Sequence, residues 1–242
     1  MGWLADLDRG LFDLAFPRDC AVTQEPMDDD ARLHLSTAGA DLLPRITDPR
    51  CLTCGHPFEG ILEGDRACPH CLDLRPAFAR AVCAFRARGP ARRIIPRIKY
   101  GRCPFLADDL AQAALMDDVF RRHLAGSVLV PVPLHAARKF DRGYNQAERI
   151  ASFLARHVAG CRADGVLRKQ RETPSQTRLG RQERRKNVAG VFVVADGRTI
   201  DPQARYVVID DVLTTGATLH ACALTLRKAG AALVDAAALA HG

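Results

Sequence analysis

The segment Tyr206–Leu219, YVVIDDVLTTGATL, holds the residues best placed to do chemistry. Val207, Val208 and Ile209 form a continuous apolar run suited to a buried parallel strand, which is expected to end on two carboxylates, Asp210 and Asp211. Thr214, Thr215, Gly216, Ala217 and Thr218 follow, all small or hydroxyl-bearing, and lead into the helical stretch LHACALTLRKAG. Backbone N–H groups at a helix start, threonine hydroxyls and a glycine that permits close approach together make a phosphate cradle. A Walker loop would need its lysine and a dinucleotide fingerprint three spaced glycines, and the segment has neither. Two carboxylates beside a cradle would repel a polyphosphate laid against them, so the group facing them should be neutral and hydrogen-donating. A ribose meets that requirement. Its 5'-phosphate would sit in the cradle and its 2' and 3' hydroxyls would donate to Asp210 and Asp211, with Mg2+ bridging those hydroxyls to a pyrophosphate on C1. The competing explanation is a helix whose positive end is capped by acids, but capping needs one acid or threonine and not the whole string.

Cys51-Leu-Thr-Cys54 and Cys68-Pro-His-Cys71 are two C-x2-C knuckles separated by thirteen residues. This spacing reads as a four-thiolate Zn2+ site, closed to substrate and therefore structural. A redox pair is the rival reading; one such motif can cycle, but two matched ones rarely do. His56 and His70 adjoin the ligands, yet four thiolates already complete the shell. Cys20, Cys83, Cys103, Cys161 and Cys222 are scattered singly and are expected to behave as small buried hydrophobes.

Between Gln170 and about Val188 lies a polar stretch with no apolar period, in which Arg171, Arg178, Arg181, Arg184, Arg185 and Lys186 face only Glu172 and Glu183. Mobile cations of this kind suit a cover that closes over a departing pyrophosphate and excludes water. They equally suit a solvated loop, or contact with the phosphates of single-stranded DNA. Few aromatics accompany them, which weakens the case for base stacking on the loop itself. No protein nucleophile emerges: His135 and His220 lie near the proposed site, but a lone histidine is more often structural.

Elements that would position these groups follow from the apolar pattern. Residues 1–80 read as an N-terminal helix and a loop-rich zinc-ribbon module, with Leu4, Leu7, Leu11 and Leu14 at helical spacing. Residues 81–242 alternate strands and helices: AVCAFRA, SVLVPVP, GVLRK, VFVV and YVVID as strands; ARRIIPRIKY, FLADDLAQAALMDDVFRRHL, NQAERIASFLARHV and a stretch from near Thr218 as helices. That alternation implies an α/β fold with a mostly parallel sheet, whose ligands bind beyond the carboxyl ends of the strands. With 242 residues, 48% of them apolar, a packed core is expected, and no run reaches the length of a membrane span. The net charge of +7 favours an anionic ligand. An odd number of cysteines and the lack of a secretory leader point to a reducing, cytoplasmic setting.

The string YVVIDDVLTTGATL resembles the PRPP-binding motif of type I phosphoribosyltransferases, PRPP being phosphoribosyl pyrophosphate. The wider pattern resembles the ComF family of bacterial competence-associated proteins over nearly the whole chain. PVPLHAARKFDRGYNQAE is similar to that family's pyrophosphate-loop region, and QTRLGRQERRKNVAGVF to its flexible-loop region. The resemblance implies a type I phosphoribosyltransferase fold behind a zinc ribbon, with Pro133, Leu134 and His135 near the pyrophosphate. It also implies that Gln176, Arg184 and Asn187 belong to the loop motif, and that Lys99, in IKYGR, faces the site. The implied function is magnesium-dependent phosphoribosyl transfer from PRPP to an acceptor that attacks C1 directly. Its alternative is a non-catalytic fold that handles nucleic acid during DNA uptake, with competence-machinery partners. The family often carries two sets of zinc knuckles. Here Cys20 remains from the first, with Thr23, Ser36 and Gly39 near the positions of its partners, so one zinc per chain is expected.

Overall fold

A computed structural model of the chain describes residues 18–27, 32, 34–60, 66–101, 103–172, 183 and 187–242. The expected N-terminal helix lies outside these residues. Five strands form one sheet, all parallel: β1 (Ala81–Arg86), β2 (Val128–Pro131), β3 (Arg162–Ala163), β6 (Arg205–Leu213) and β7 (Leu233–His241), in the order β1-β7-β6-β2-β3. After β2 the chain moves outward to β3, and after β6 it moves the other way to β7. The connections therefore diverge between β2 and β6, and the crevice at their carboxyl ends is the topological switch point where ligands of open parallel sheets bind. Pro133 and Leu134 follow one of these strands and Thr214–Thr218 the other.

Helices cover both faces. On one, α3 (Gly89–Tyr100) buries Ala91, Ile94, Ile95 and Ile98, which recur at helical spacing, against Val207 and Ile209. α4 (Phe105–Ala114) and α7 (Gln146–His157) complete that layer. On the other face α8 (Ala217–Lys228) packs Cys222, Ala223 and Leu226 against Tyr206 and Val208. The same layer takes in Cys51, Cys54, Cys68 and Cys71, from the segment that carries the short helices α1 (Thr37–Asp41) and α2 (Pro69–Leu74).

Three local departures from expectation have physical causes. The single helix FLADDLAQAALMDDVFRRHL is two, α4 and α5 (Asp118–Leu124), because the Asp117 carboxylate accepts from the Val119 and Phe120 N–H groups and starts a new helix. β6 does not stop at the acids; it runs on to Leu213, kept in register by β7 as far as His241. GVLRK and VFVV become β4 (Leu167–Lys169) and β5 (Phe192–Val194), which pair antiparallel with each other in a separate two-stranded sheet. One short helix, α6 (Ala136–Arg142), follows β2. Among the described residues no helix is long and apolar enough to cross a membrane.

Candidate functional site

Successive residues of a strand point to opposite faces, so Asp210 and Asp211 diverge from one another at the end of β6. Asp211 is buried, and its Oδ2 lies 2.9 Å from the Lys99 ammonium on α3. Burial would lower the Lys99 pKa, but the Asp211 and Asp210 charges outweigh it and hold it above its ordinary value. Asp210 is half-buried, and its Oδ1 accepts the Asp211 N–H at 2.9 Å. Burial and the neighbouring Asp211 charge push its carboxyl well above the usual range, with Lys99 opposing them. Two carboxylates thus compete for one cation. Apart from the Lys99 ammonium, Asp211 Oδ2 has no partner among the described residues, leaving a buried oxygen with capacity for a hard cation or a sugar hydroxyl.

Both acids line a cleft of about 450 Å³, together with Lys99, Pro133, Leu134, Thr214 and Thr218. The loop after β6 turns on Gly216, at φ +69°, which is also the N-cap of α8 and has no side chain to accept a hydrogen bond from the helix start. The Ala217 N–H at the helix start donates to Thr215 Oγ1 over a long 3.5 Å, and the N-terminus of α8 otherwise has the character of an anion cradle. Thr215 and Ala217 are buried beneath this loop. On the far wall, Asn145 fixes the segment after β2: its Nδ2 donates to the Val132 carbonyl at 3.0 Å, and its Oδ1 accepts the Ala147 N–H to start α7. His135 caps α6 by accepting the Ala137 N–H, and His220 Nδ1 accepts the Ala77 N–H at 3.1 Å. Each histidine thus has a structural task.

The antiparallel strands β4 and β5 stand at the two ends of the cationic loop, and Lys169 and Phe192 bring that neck to the cleft. Gln170 closes it, with its N–H donating to the Val191 carbonyl and its Nε2 to that of Gly190. Of the loop residues singled out, Asn187 is described and half-buried, whereas Gln176, Arg178, Arg181 and Arg184 lie outside the described residues. Sequence reading missed Arg92, Arg138, Arg142 and Lys169, which also line the cleft. Spacing could have found three of them, since Arg92 lies two turns before Lys99 on α3, and Arg138 and Arg142 are four apart on α6.

The Sγ atoms of Cys51, Cys54, Cys68 and Cys71 all lie within 4.8 Å of one another, and all four residues are buried. A tetrahedron of Zn–S bonds of about 2.3 Å has edges of about 3.8 Å, and Cys54 Sγ to Cys68 Sγ measures 3.7 Å. The geometry fits zinc. Burial would raise the Cys51 thiol, but N–H donors at Cys54, Cys68 and Thr53 outweigh it and bring it to about 7. Cys68 is pushed up to about 11 by burial, and Cys54 is raised further, through the Cys71 thiol and burial. Four thiolates this close require a cation to share. Cys20, by contrast, accepts the Val22 and Ser36 N–H groups at 3.5 and 3.4 Å. A Cβ on Gly39 would stand 2.5 Å from its sulfur. Against the raising effect of burial, bonds from Ser36, Thr23 and Val22 bring its thiol down to about 7. Thr23, Ser36 and Gly39, the positions the family resemblance marked as those of its replaced partners, lie around Cys20. Of the other single cysteines, Cys83 and Cys222 are buried and Cys103 and Cys161 half-buried, and all nine are free thiols.

No family model matches the chain. It is 29% identical over 181 residues to "Competence protein F" of Haemophilus influenzae, covering 73% of this chain and 79% of that protein. It is also 30% identical over 194 residues to "DNA utilization protein YhgH" of Salmonella typhi, covering 77% and 80%. The chain belongs to the ComF family. An adenine phosphoribosyltransferase of Mycobacterium avium is 35% identical over 135 residues, 55% of this ComF chain and 67% of the enzyme. The parallel sheet with helices on both faces is accordingly phosphoribosyltransferase-like, and this ComF protein carries beside it a cysteine cluster able to hold zinc.

Proposed function

We propose that the cleft binds PRPP with magnesium and supports phosphoribosyl transfer to an acceptor. The observation that carries this reading is the carboxylate pair lining the cleft at the switch point, next to the N-terminus of α8. In this reading Asp210 and Asp211 accept the ribose 2' and 3' hydroxyls, and the Thr214–Thr218 loop takes the 5'-phosphate on its N–H groups. Lys99, with the segment Pro133–His135, faces the pyrophosphate. Asp210 and Asp211 would hold magnesium near the ribose, where it would supply charge neutralisation for the pyrophosphate. Arg138, Arg142 and Lys169, together with the loop cations Arg178, Arg181 and Arg184, surround the departing charge and stabilise it.

A second reading, single-stranded nucleic acid, has its own support. From Leu74 to Ala107 the sequence has no acid but carries Arg75, Arg80, Arg86, Arg88, Arg92, Arg93, Arg97, Lys99 and Arg102. Arg88, Arg92, Arg93 and Arg97 are exposed around α3, and Tyr100 and Phe140 are exposed to 67% and 89%. Cations beside open aromatic rings suit a strand whose bases stack. Binding assays with PRPP, with and without magnesium, and with a single-stranded oligonucleotide separate the two. Asp210→Asn with Asp211→Asn is expected to abolish magnesium-dependent PRPP binding and to leave oligonucleotide binding in place. PRPP binding as tight as in the unaltered chain would place the ribose elsewhere. Pyrophosphate release with a panel of bases and amines then tests catalysis.

A further inference from the structure

The cysteine cluster and the loop proposed to hold the 5'-phosphate touch each other through two side chains of one short helix. α2 begins at its N-cap Cys68 and contains Cys71, so two of the four thiols set its position. His70, between them, directs Nε2 at the Thr215 carbonyl, 2.5 Å away. A carbonyl only accepts, so Nε2 carries the proton and donates. Four residues on, Leu74 Cδ2 lies 3.3 Å from where a Cβ on Gly216 would stand, so the leucine packs closely against the loop at that point.

The Thr215 carbonyl and the Gly216 N–H belong to one planar trans peptide and point in opposite directions. Holding the carbonyl toward the cluster therefore turns the Gly216 N–H away from it. Gly216 could otherwise rotate freely, since it tolerates φ values on both sides of zero. In an N–H cradle the orientation of each peptide decides whether a donor or an acceptor faces the phosphate, and a flipped 215–216 peptide would present an oxygen.

We propose that His70 is a positioning residue for the phosphate loop: through its bond to Thr215 it transmits the geometry of the thiolate cluster to the Gly216 N–H, so that the metal site sets the affinity of the cleft for a sugar phosphate. This rests on the reading of the cleft as a phosphorylated-ribose site. The role differs from ligation, because the four thiols complete the cluster without His70.

The test uses the full chain with its zinc, and the variants His70→Ala and His70→Gln. Zinc content is measured in each, together with hydrogen exchange of the amides at 214–218 and calorimetric binding of ribose 5-phosphate. His70→Ala is expected to keep its zinc, to exchange faster at the loop, and to bind ribose 5-phosphate about tenfold more weakly, the scale of one net hydrogen bond. His70→Gln, whose side-chain amide can donate to the same carbonyl, is expected to restore both readouts. Unchanged loop exchange in His70→Ala overturns the proposal. So does loss of its zinc, which would make His70 part of the cluster, and so does failure of His70→Gln to restore loop exchange and ribose 5-phosphate binding. If the unaltered chain does not bind ribose 5-phosphate, the reading of the cleft fails, while loop exchange still decides whether His70 holds the loop.

Discussion

The cysteine cluster and the acidic cleft meet the same physical problem with different means. Each gathers groups that repel one another when ionised: four thiols in one place, two carboxylates in the other. The cleft carries its own cation, Lys99, at 2.9 Å from Asp211, and sheds the remaining repulsion by keeping the Asp210 carboxyl well above its ordinary pKa through burial and the Asp211 charge. The described residues around the cysteines include no lysine in that position; burial and neighbouring thiols raise Cys54 and Cys68, while N–H donors lower Cys51 to about 7. One region thus carries a cation of its own. The other gathers four thiols that could share an ion from outside.

The sharpest way to break this comparison is to take the metal away. Elemental analysis is expected to find one zinc per chain. Apparent binding free energies of structural zinc sites are roughly 10 to 16 kcal/mol near neutral pH, so chelation, or Cys54→Ser, should unfold the cysteine segment and lower the melting temperature more than any other change considered. Two zinc ions per chain would contradict the contrast between Cys20 and the cluster.

Replacing Lys99 by Met should cost less, about 2 to 3 kcal/mol, because it leaves Asp211 buried without its partner. The effect should depend on pH in a defined sense. Asp210 has a native pKa raised above its unfolded value, so its charge destabilises the native state increasingly as pH rises from about 4 toward the native value. Lys99 shifts stability in the same direction with pH but from the favourable side: its raised native pKa contributes stability that is full below its unfolded pKa and lost only as pH rises through the native one. The variant should therefore lose more stability at pH 8 than at pH 5, where the acids can take up protons in place of the lost ammonium. Denaturant titrations at the two pH values measure this, and an equal loss at both would mean that Lys99 serves packing and not charge.

The smallest effect sharpens the cysteine half of the comparison. Cys20→Ser should cost about 1 kcal/mol and leave the zinc content unchanged, since an oxygen can accept the Val22 and Ser36 N–H groups as the sulfur does. A loss as large as that of Cys54→Ser would mean that the two sites share one structural role.

Much of this was legible in one dimension. The two knuckles, the carboxylate pair and the small-residue loop are each contiguous, so spacing alone identified them, and helical and strand periods located most elements. The bend at Asp117 was missed because a cap acts against an otherwise continuous apolar period, and β6 was read as too short because two acids interrupt its apolar run before Val212 and Leu213, which β7 holds in register. The family resemblance marked Thr23, Ser36 and Gly39 as neighbours of Cys20, though not the N–H groups that satisfy its sulfur. Only the tertiary structure could decide which cations face the acids. Lys99 arrives from α3, Arg138 and Arg142 from α6, and Lys169 from β4, brought together by strand order at the switch point. The contact between His70 and Thr215 joins the cysteine segment to the loop after β6, 145 residues away along the chain. No local pattern encodes such a contact, because it follows from how two independently specified elements pack, and packing is set by the whole core.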